Sequence, residues 1–303
     1  MKNNRLILIF PVMTGILFGT AGIFVRYLTA HGFDNPTIIF ARTSVATLIL
    51  LAHLLVHDRR IPRVKLKDLW ALACCGLVGM LGTNLAYNLA ITSVTLSLAA
   101  VLLSMSPIFV MLLSALFFRE KFTARKAVSL VLMVLGCILV SGILEQNLTL
   151  SGKGVAMGIA AAFFYAVYSV VSRIASERGY TTVTLVFYCV LMIMLATLPL
   201  ADLGAIRSFV AEAPVNSISV LLLHTLCTSV LPYIYLTIAV SRADTGIVSI
   251  LASGTEPVAA MVFGILVFSE VPTVLMIGGL VIVIAALIIP SLGGAGKAEE
   301  RSK

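Results

Sequence analysis

The stretch SILASGTEPVAAMVFG, residues 249–264, is apolar enough to lie in a lipid bilayer, yet it carries Glu256 directly before Pro257. The nearest other charges are Asp244 and Glu270, more than ten residues away on either side. A charged side chain near a bilayer centre costs about 3 kcal/mol or more and normally faces a bundle interior or a wet cavity. Reading this stretch as a membrane helix with one interior carboxyl sets the terms for the rest of the chain.

The bulk composition agrees. Of 303 residues, 60% are hydrophobic and 11% charged, against roughly 45–50% and about 25% in soluble domains, which excludes an ordinary water-soluble globule. Runs of about 20 apolar residues can cross a hydrocarbon core as helices. The runs are continuous rather than alternating, which excludes a barrel. Ten spans are predicted, at about residues 6–26, 36–56, 68–89, 94–118, 125–143, 154–174, 181–201, 217–239, 244–268 and 271–290. The predicted fold class is an all-α integral membrane protein of ten transmembrane helices.

The net charge of +8 raises the question of an acidic partner, and the placement of the basic residues answers it. One set of loops and tails holds Lys2, Arg5, Arg59, Arg60, Arg63, Lys65, Lys67, Arg119, Lys121, Arg125, Lys126, Arg173, Arg178, Arg242, Lys297, Arg301 and Lys303, seventeen of the 21 basic residues. The opposite loops hold Arg26, Lys153 and Arg207, and Arg42 lies inside a span. This asymmetry predicts a multi-pass protein of the cytoplasmic membrane with both termini in the cytoplasm. The partner is the lipid bilayer, and no nucleic acid is expected. The first span is read as a retained helix, since no small-residue cleavage pattern closes it. Cys74, Cys75, Cys137, Cys189 and Cys227 all fall in apolar runs, where thiols behave as small buried hydrophobes; neither disulfides nor a metal site nor any cofactor is expected.

Internal repetition organises the chain. FFREKFT (117–123) and VFSEVPT (267–273) share Phe, Glu and Thr at an offset of 150, and SPIF (106–109) and EPVA (256–259) align Pro107 with Pro257 at the same offset. FGTAGIFVR (18–26) matches YAVYSVVSR (165–173) at an offset of 147, which also aligns Phe40 with Phe187. Residues 1–146 and 147–292 therefore read as two five-helix repeats, with 293–303 as a disordered cytoplasmic tail. Five is odd, so the second copy enters the membrane from the opposite side. Inverted repeats recur in secondary transporters, with the substrate site near the midplane where the copies meet.

Phe18-Gly19, Arg42 in the second span, the mid-span prolines, the F-x-E-x-x-T pattern ending spans four and nine, and the ten-span length resemble the EamA family of the drug/metabolite transporter superfamily. The resemblance implies a permease for small metabolites, often an exporter of amino acids or related compounds, with a central cavity walled by both repeats. Phe18 and Tyr165 stand where many relatives carry tryptophan, and Cys189 stands opposite Arg42 in the second repeat.

Within that frame, Ser249, Ser253 and Glu256 form one polar stripe at i, i+4 and i+7. Glu256 is read either as a proton carrier or partner of a substrate ammonium group, or as a protonated structural acid. Pro107 and Pro257 cannot donate to the carbonyls of Leu103 and Ser253, so each is a candidate hinge exposing an oxygen to a ligand, or a packing kink. Further candidate substrate contacts are Phe18; Asn84, Tyr87 and Asn88 in span three; Tyr165 and Tyr168, with Ser169 and Ser172, in span six; and His224 and Tyr235, with Thr228, in span eight. Polar side chains also hold membrane helices together, and either role is open for each. Arg42 is a gating residue attracting a carboxylate, or an interhelical anchor. Glu120 and Glu270 read as helix-end fasteners, and His53 and Asp244 as solvated groups.

The predicted function is a secondary active transporter of small metabolites, most readily amino acids or related compounds, working by alternating access, with protons as a possible coupling ion. A facilitative channel-like carrier is the alternative. No G-x-x-x-x-G-K-[ST] loop is present to support an ATP-driven pump. An intramembrane enzyme lacks an H-E-x-x-H pair, an aspartate-rich diphosphate site and a serine elbow, so no enzymatic activity is expected. One chain of ten spans can form a whole pathway as a monomer or within a homodimer.

Overall fold

The computed structural model describes residues 4–57, 64–91, 93–94, 96–145, 151–269 and 271–293. Lys2, Arg59, Arg60, Arg63, Glu270 and the tail from 294 onward, with its expected disorder, lie outside the described residues. Every element among the described residues is helical.

A short α1 (Asn4–Ile7) leads into α2 (Ile9–Gly19) and α3 (Ala21–Ala30), which Thr20 joins by turning its hydroxyl back onto the carbonyl of Leu17 at 2.7 Å. α4 (Asn35–His57) follows. The third span begins with α5 (Leu69–Ala73), continues through a π-helical stretch, Cys74–Leu81, and ends in α6 (Gly82–Ile91). α7 (Leu96–Leu103) and α8 (Ser106–Phe118) make up the fourth span, which is jointed rather than continuous: Ser104 and Met105 form a turn, and Pro107 sits in the first turn of α8. Proline is harmless there because a first-turn N–H has no intrahelical acceptor. α9 (Ala124–Val140) ends the first half.

The second half holds α10 (Gly152–Glu177), α11 (Thr182–Thr197), α12 (Leu203–Glu212), α13 (Pro214–Thr225), α14 (Leu231–Arg242), α15 (Thr245–Phe268) and α16 (Val274–Gly293). α12 occupies what reads in the sequence as loop. Asp202 caps it, accepting from the N–H of Ala205 at 3.0 Å, and its one buried residue, Phe209, packs with Leu28, Phe33 and Leu221. Thr123, Ser151, Thr181 and Asp244 cap α9, α10, α11 and α15 in the same manner. Among the described residues, eight helical stretches are long and apolar enough to cross a membrane, and Val274–Ile289 is a shorter apolar helix.

Repetition reaches the backbone conformation. Arg119 (φ 55°) and Ser269 (φ 54°), each closing the helix before it, are the only non-glycine residues with positive φ among those described, and they stand 150 positions apart. Packing is reciprocal between the halves. α2 lies against α14 and α15, while α10 lies against α6 and α8; α4 pairs with α11, and α9 with α16. Glycines permit the closest approaches. A Cβ on Gly15 would stand 2.5 Å from the carbonyl oxygen of Ala252, and one on Gly79 2.7 Å from Cβ of Tyr168. Small residues at such faces let helix backbones approach in lipid, where dispersion rather than the hydrophobic effect drives association.

Candidate functional site

α15 is the element on which the site is built. Ser249 and Ser253 are buried on it, and Glu256, in its middle, keeps part of its surface accessible. α2 fixes the height of this region: its Gly15 and Gly19 rest on the backbone of Ala252 to Ala260, including both the amide and the carbonyl of Glu256. Ser253 meets Ser106, at the start of α8, hydroxyl to hydroxyl at 3.0 Å. Ser249 Oγ is buried without a hydrogen-bond partner. No hydrogen bond or ion pair reaches the Glu256 carboxyl among the described residues, although Tyr87, Tyr165 and Tyr233 lie within its electrostatic range. A carboxyl in the middle of an apolar helix without a protein partner is costly and is met by a proton, by water or by an external cation.

Arg42 lies on α4 and donates from Nη2 to Asn84 Oδ1 at 2.5 Å; Asn84 in turn donates to the carbonyl of Met80 at 2.7 Å. The hydroxyl of Thr225 donates to the Arg42 carbonyl at 3.3 Å. The guanidinium is thus tied to span three, yet its Nε is buried without an acceptor. His224 is fully buried, stacks on Phe24 at 5.2 Å and has neither ring nitrogen hydrogen-bonded.

The remaining predicted residues divide by environment. Phe18, Tyr87 and Asn88 are half-buried, and Tyr165 is nearly covered. Tyr168 is fully buried, with its hydroxyl 2.8 Å from that of Thr237. Tyr235 packs at 5.5 Å against Phe10. Its neighbour Tyr233, absent from the sequence-derived set, is the ring that meets Phe18 at 5.3 Å and Tyr168 at 4.9 Å. Electrostatically, Tyr233 is within range of both Arg42 and Glu256.

The reason lies in helix phase. Between α13 and α14 the chain forms a π turn, Leu226–Val230, so the buried stripe runs His224, Thr228, Tyr233, Thr237. The five-residue step from Thr228 to Tyr233 is the π spacing. A uniform α-helix would instead have continued to Tyr235. Pro232 is the available signal: it has no N–H for the Thr228 carbonyl and disfavours a regular turn.

Among the described residues, three ion pairs at one end of the bundle each join the first half to the second. Glu120 pairs with Arg173, whose Nη1 also donates to Thr245 Oγ1 at 2.7 Å. Glu120 further accepts the amide of Thr245 at 3.1 Å. Lys126 meets Asp244 at 2.6 Å. Arg178 meets Asp68 at 2.6 Å, and Tyr180 donates to the same carboxylate at 2.9 Å. Asp244, expected to be solvated, is instead both the cap of α15 and an ion-pair partner. The five cysteines are free thiols, and no cluster of three or more metal-ligating side chains occurs among the described residues.

The chain as a whole is similar to known proteins. A family model described as "EamA-like transporter family" matches residues 5–142 and again residues 152–292. An "Uncharacterized transporter" of Clostridium kluyveri is 24% identical, covering 93% of this chain and 91% of its own. The "Pseudopaline exporter CntI" of Pseudomonas aeruginosa is 30% identical over 83% of this chain and 84% of its own. An "Uncharacterized transporter" of Archaeoglobus fulgidus is 27% identical, and this chain spans only 57% of its length. One crystal structure superposes with a TM-score of 0.76 at 16% identity, over 95% of this chain and 97% of the other, a likeness of fold alone.

Proposed function

The chain belongs to the EamA-like transporter family, and from that premise we propose that it is a ten-span secondary active transporter that moves small metabolites, amino acids or related compounds among them, out of the cell by alternating access. The observation that carries this reading is the Glu256 carboxyl, set in mid-helix within electrostatic range of three tyrosines and with no hydrogen-bond or ion-pair partner among the described residues. A partnerless intramembrane acid is a functional residue by default, and this one lies where α2 and α8, from the first half, meet α15. Asn84, Tyr87 and Asn88 on α6, Phe18 on α2, Tyr165 on α10 and Tyr233 on α14 supply rings and polar tips for a substrate that is part apolar.

The reciprocal packing of the halves, together with the offsets of 147 and 150, supports an inverted pseudo-two-fold arrangement of residues 1–146 and 147–292 in the cytoplasmic membrane, both termini inside. A relative named for exporting pseudopaline supports outward transport of a small polar metabolite. Proton coupling requires Glu256 to gain and lose a proton as access alternates.

Uptake and efflux of a panel of amino acids and metabolites, in cells lacking or overproducing the protein, tests the transport reading; saturation and counterflow separate it from a channel. For the solute so found, Glu256→Gln keeps shape and hydrogen bonding but removes titration. Purified and reconstituted in vesicles, this variant is expected to exchange substrate while failing to accumulate it under a pH difference. Accumulation against a gradient at the wild-type level would show that Glu256 does not couple protons.

A further inference from the structure

The three ion pairs between the halves share one end of the bundle, and that end carries the loops whose basic residues mark it as cytoplasmic. The two inner clusters converge on a single point, the start of α15. Glu120, one residue beyond the left-handed Arg119 that closes α8, accepts from the Thr245 amide at 3.1 Å and from its hydroxyl at 3.3 Å. A carboxylate is favourable at that helix end because the first amides lack intrahelical acceptors. Arg173, at the far end of α10, closes the cluster and lies over the Phe118 ring at 4.0 Å. Lys126, in the first turn of α9, reaches Asp244 and the carbonyl of Lys121 at 3.2 Å.

Two features distinguish this seam from static packing. Four of its six charged side chains are covered, with exposures of 12% for Arg173, 8% for Glu120, 7% for Lys126 and 6% for Asp68, while Asp244 and Arg178 keep 31% and 38%. Yet the set is not saturated: Glu120 Oε2 is buried with no partner. At the other end, the contacts between the halves include apolar packing and neutral hydrogen bonds. Leu28, Phe33 and Ile38 pack on Phe209 and Leu221, the amide of Asp202 donates to Thr37 Oγ1 at 2.8 Å, and Asn216 donates to the Tyr27 hydroxyl at 3.2 Å. Apolar surfaces slide or part with little directional penalty, whereas an ion pair in a covered seam has one geometry and switches between made and broken.

We propose that Glu120–Arg173–Thr245, Lys126–Asp244 and Asp68–Arg178 form a latch that holds the cytoplasmic end shut in this conformation and must release for the site around Glu256 to open inward. This rests on the alternating-access reading. It adds that the start of α15 and the end of α10 move together at this end, gripped at Asp244, Thr245, Arg173 and Arg178 by Lys126, Glu120 and Asp68 of the first half.

The test needs no substrate. Nitroxide labels on Arg125→Cys and Ser241→Cys, both exposed positions flanking the seam, report its width by pulsed electron resonance in nanodiscs, with the chain lacking these two cysteines as blank. The unaltered seam is expected to give one dominant short distance. Glu120→Gln combined with Asp244→Asn and Asp68→Asn keeps hydrogen-bonding shape, and asparagine keeps the cap of α15. This variant is expected to raise a longer-distance population about tenfold or more from a minor state. Lys126→Arg preserves charge and is expected to leave the distribution unchanged. Should the triple variant fold poorly, Asp244→Asn alone is expected to shift the same population by a smaller factor. A lower melting temperature with an unchanged single distance overturns the latch and leaves these residues as fasteners. The flux panel bears separately on transport: a widened seam supports the latch whichever solute is found, and saturable transport with an unmoved seam sinks the latch alone.

Discussion

Around Pro107 the helix is interrupted, Ser104 and Met105 turning between α7 and α8, whereas around Pro257 α15 runs unbroken from Thr245 to Phe268. The two prolines occupy matching repeat positions, each is followed 12 residues later by a left-handed cap, and each removes the same backbone donor. Neighbours make the difference. α15 is pinned along one side by the glycine face of α2, and α8 and α9 also pack against it, so it continues as a helix although Pro257 has no N–H to donate to the Ser253 carbonyl. At Pro107 the chain restarts a helix, and the missing N–H leaves no gap. One local chemistry therefore has two outcomes in two halves of one chain, the inequality that an inverted-repeat transporter needs if its halves exchange conformations between inward-open and outward-open states.

The largest effect is expected from removing what holds α15 in place. Gly15→Leu places a side chain whose Cβ meets the Ala252 carbonyl oxygen at 2.5 Å. Backbone cannot yield as a flexible side chain can, so the loss should be about 3 kcal/mol or more. Thermal unfolding in detergent should show it as a collapse of the folded fraction; a stable Gly15→Leu protein would mean that α2 does not hold α15.

Replacing the prolines by alanine sharpens the contrast. Pro107→Ala should change stability by less than about 0.5 kcal/mol, being a first-turn position. Pro257→Ala supplies a donor to the Ser253 carbonyl and should stabilise α15 by about 1 kcal/mol while slowing transport if that carbonyl or its flexibility is used. Equal effects of the two substitutions on melting and on flux would erase the distinction between the halves.

The smallest effect concerns the bond joining the two regions, Ser106 to Ser253 at 3.0 Å. A double-mutant cycle with alanine should give a coupling of about 0.6 kcal/mol, the average for such bonds within membranes. A coupling of zero would indicate that the two proline regions move independently.

Much of the architecture is legible because the bilayer as solvent leaves few choices. Continuous apolar runs must be helices, and Glu256 stands out because a lone carboxyl there needs a reason. Helical periodicity also located Asn84, Tyr87 and Tyr165, which face Arg42 or lie near Glu256. It failed in span eight, where the π turn before Pro232 moved the inward ring from Tyr235 to Tyr233, since a 3.6-residue period carries no mark of one inserted position. It also read α12 as loop, an amphipathic helix whose single buried residue packs on Leu28 and Phe33 of the other half and on Leu221.

Composition, charge placement and the 147- and 150-residue offsets by themselves determined a helical membrane protein with a doubled plan and an acid in its ninth apolar run, because each of these is a property of residues near one another in sequence or of the chain against its solvent. Only the tertiary structure decided that Glu120 meets Arg173, that Lys126 meets Asp244, that Arg42 is tied to Asn84 and that Glu256 has no partner among the described residues. These partners lie from 42 to 118 residues apart, and which charge is paired depends on which helices the glycine faces allow to touch.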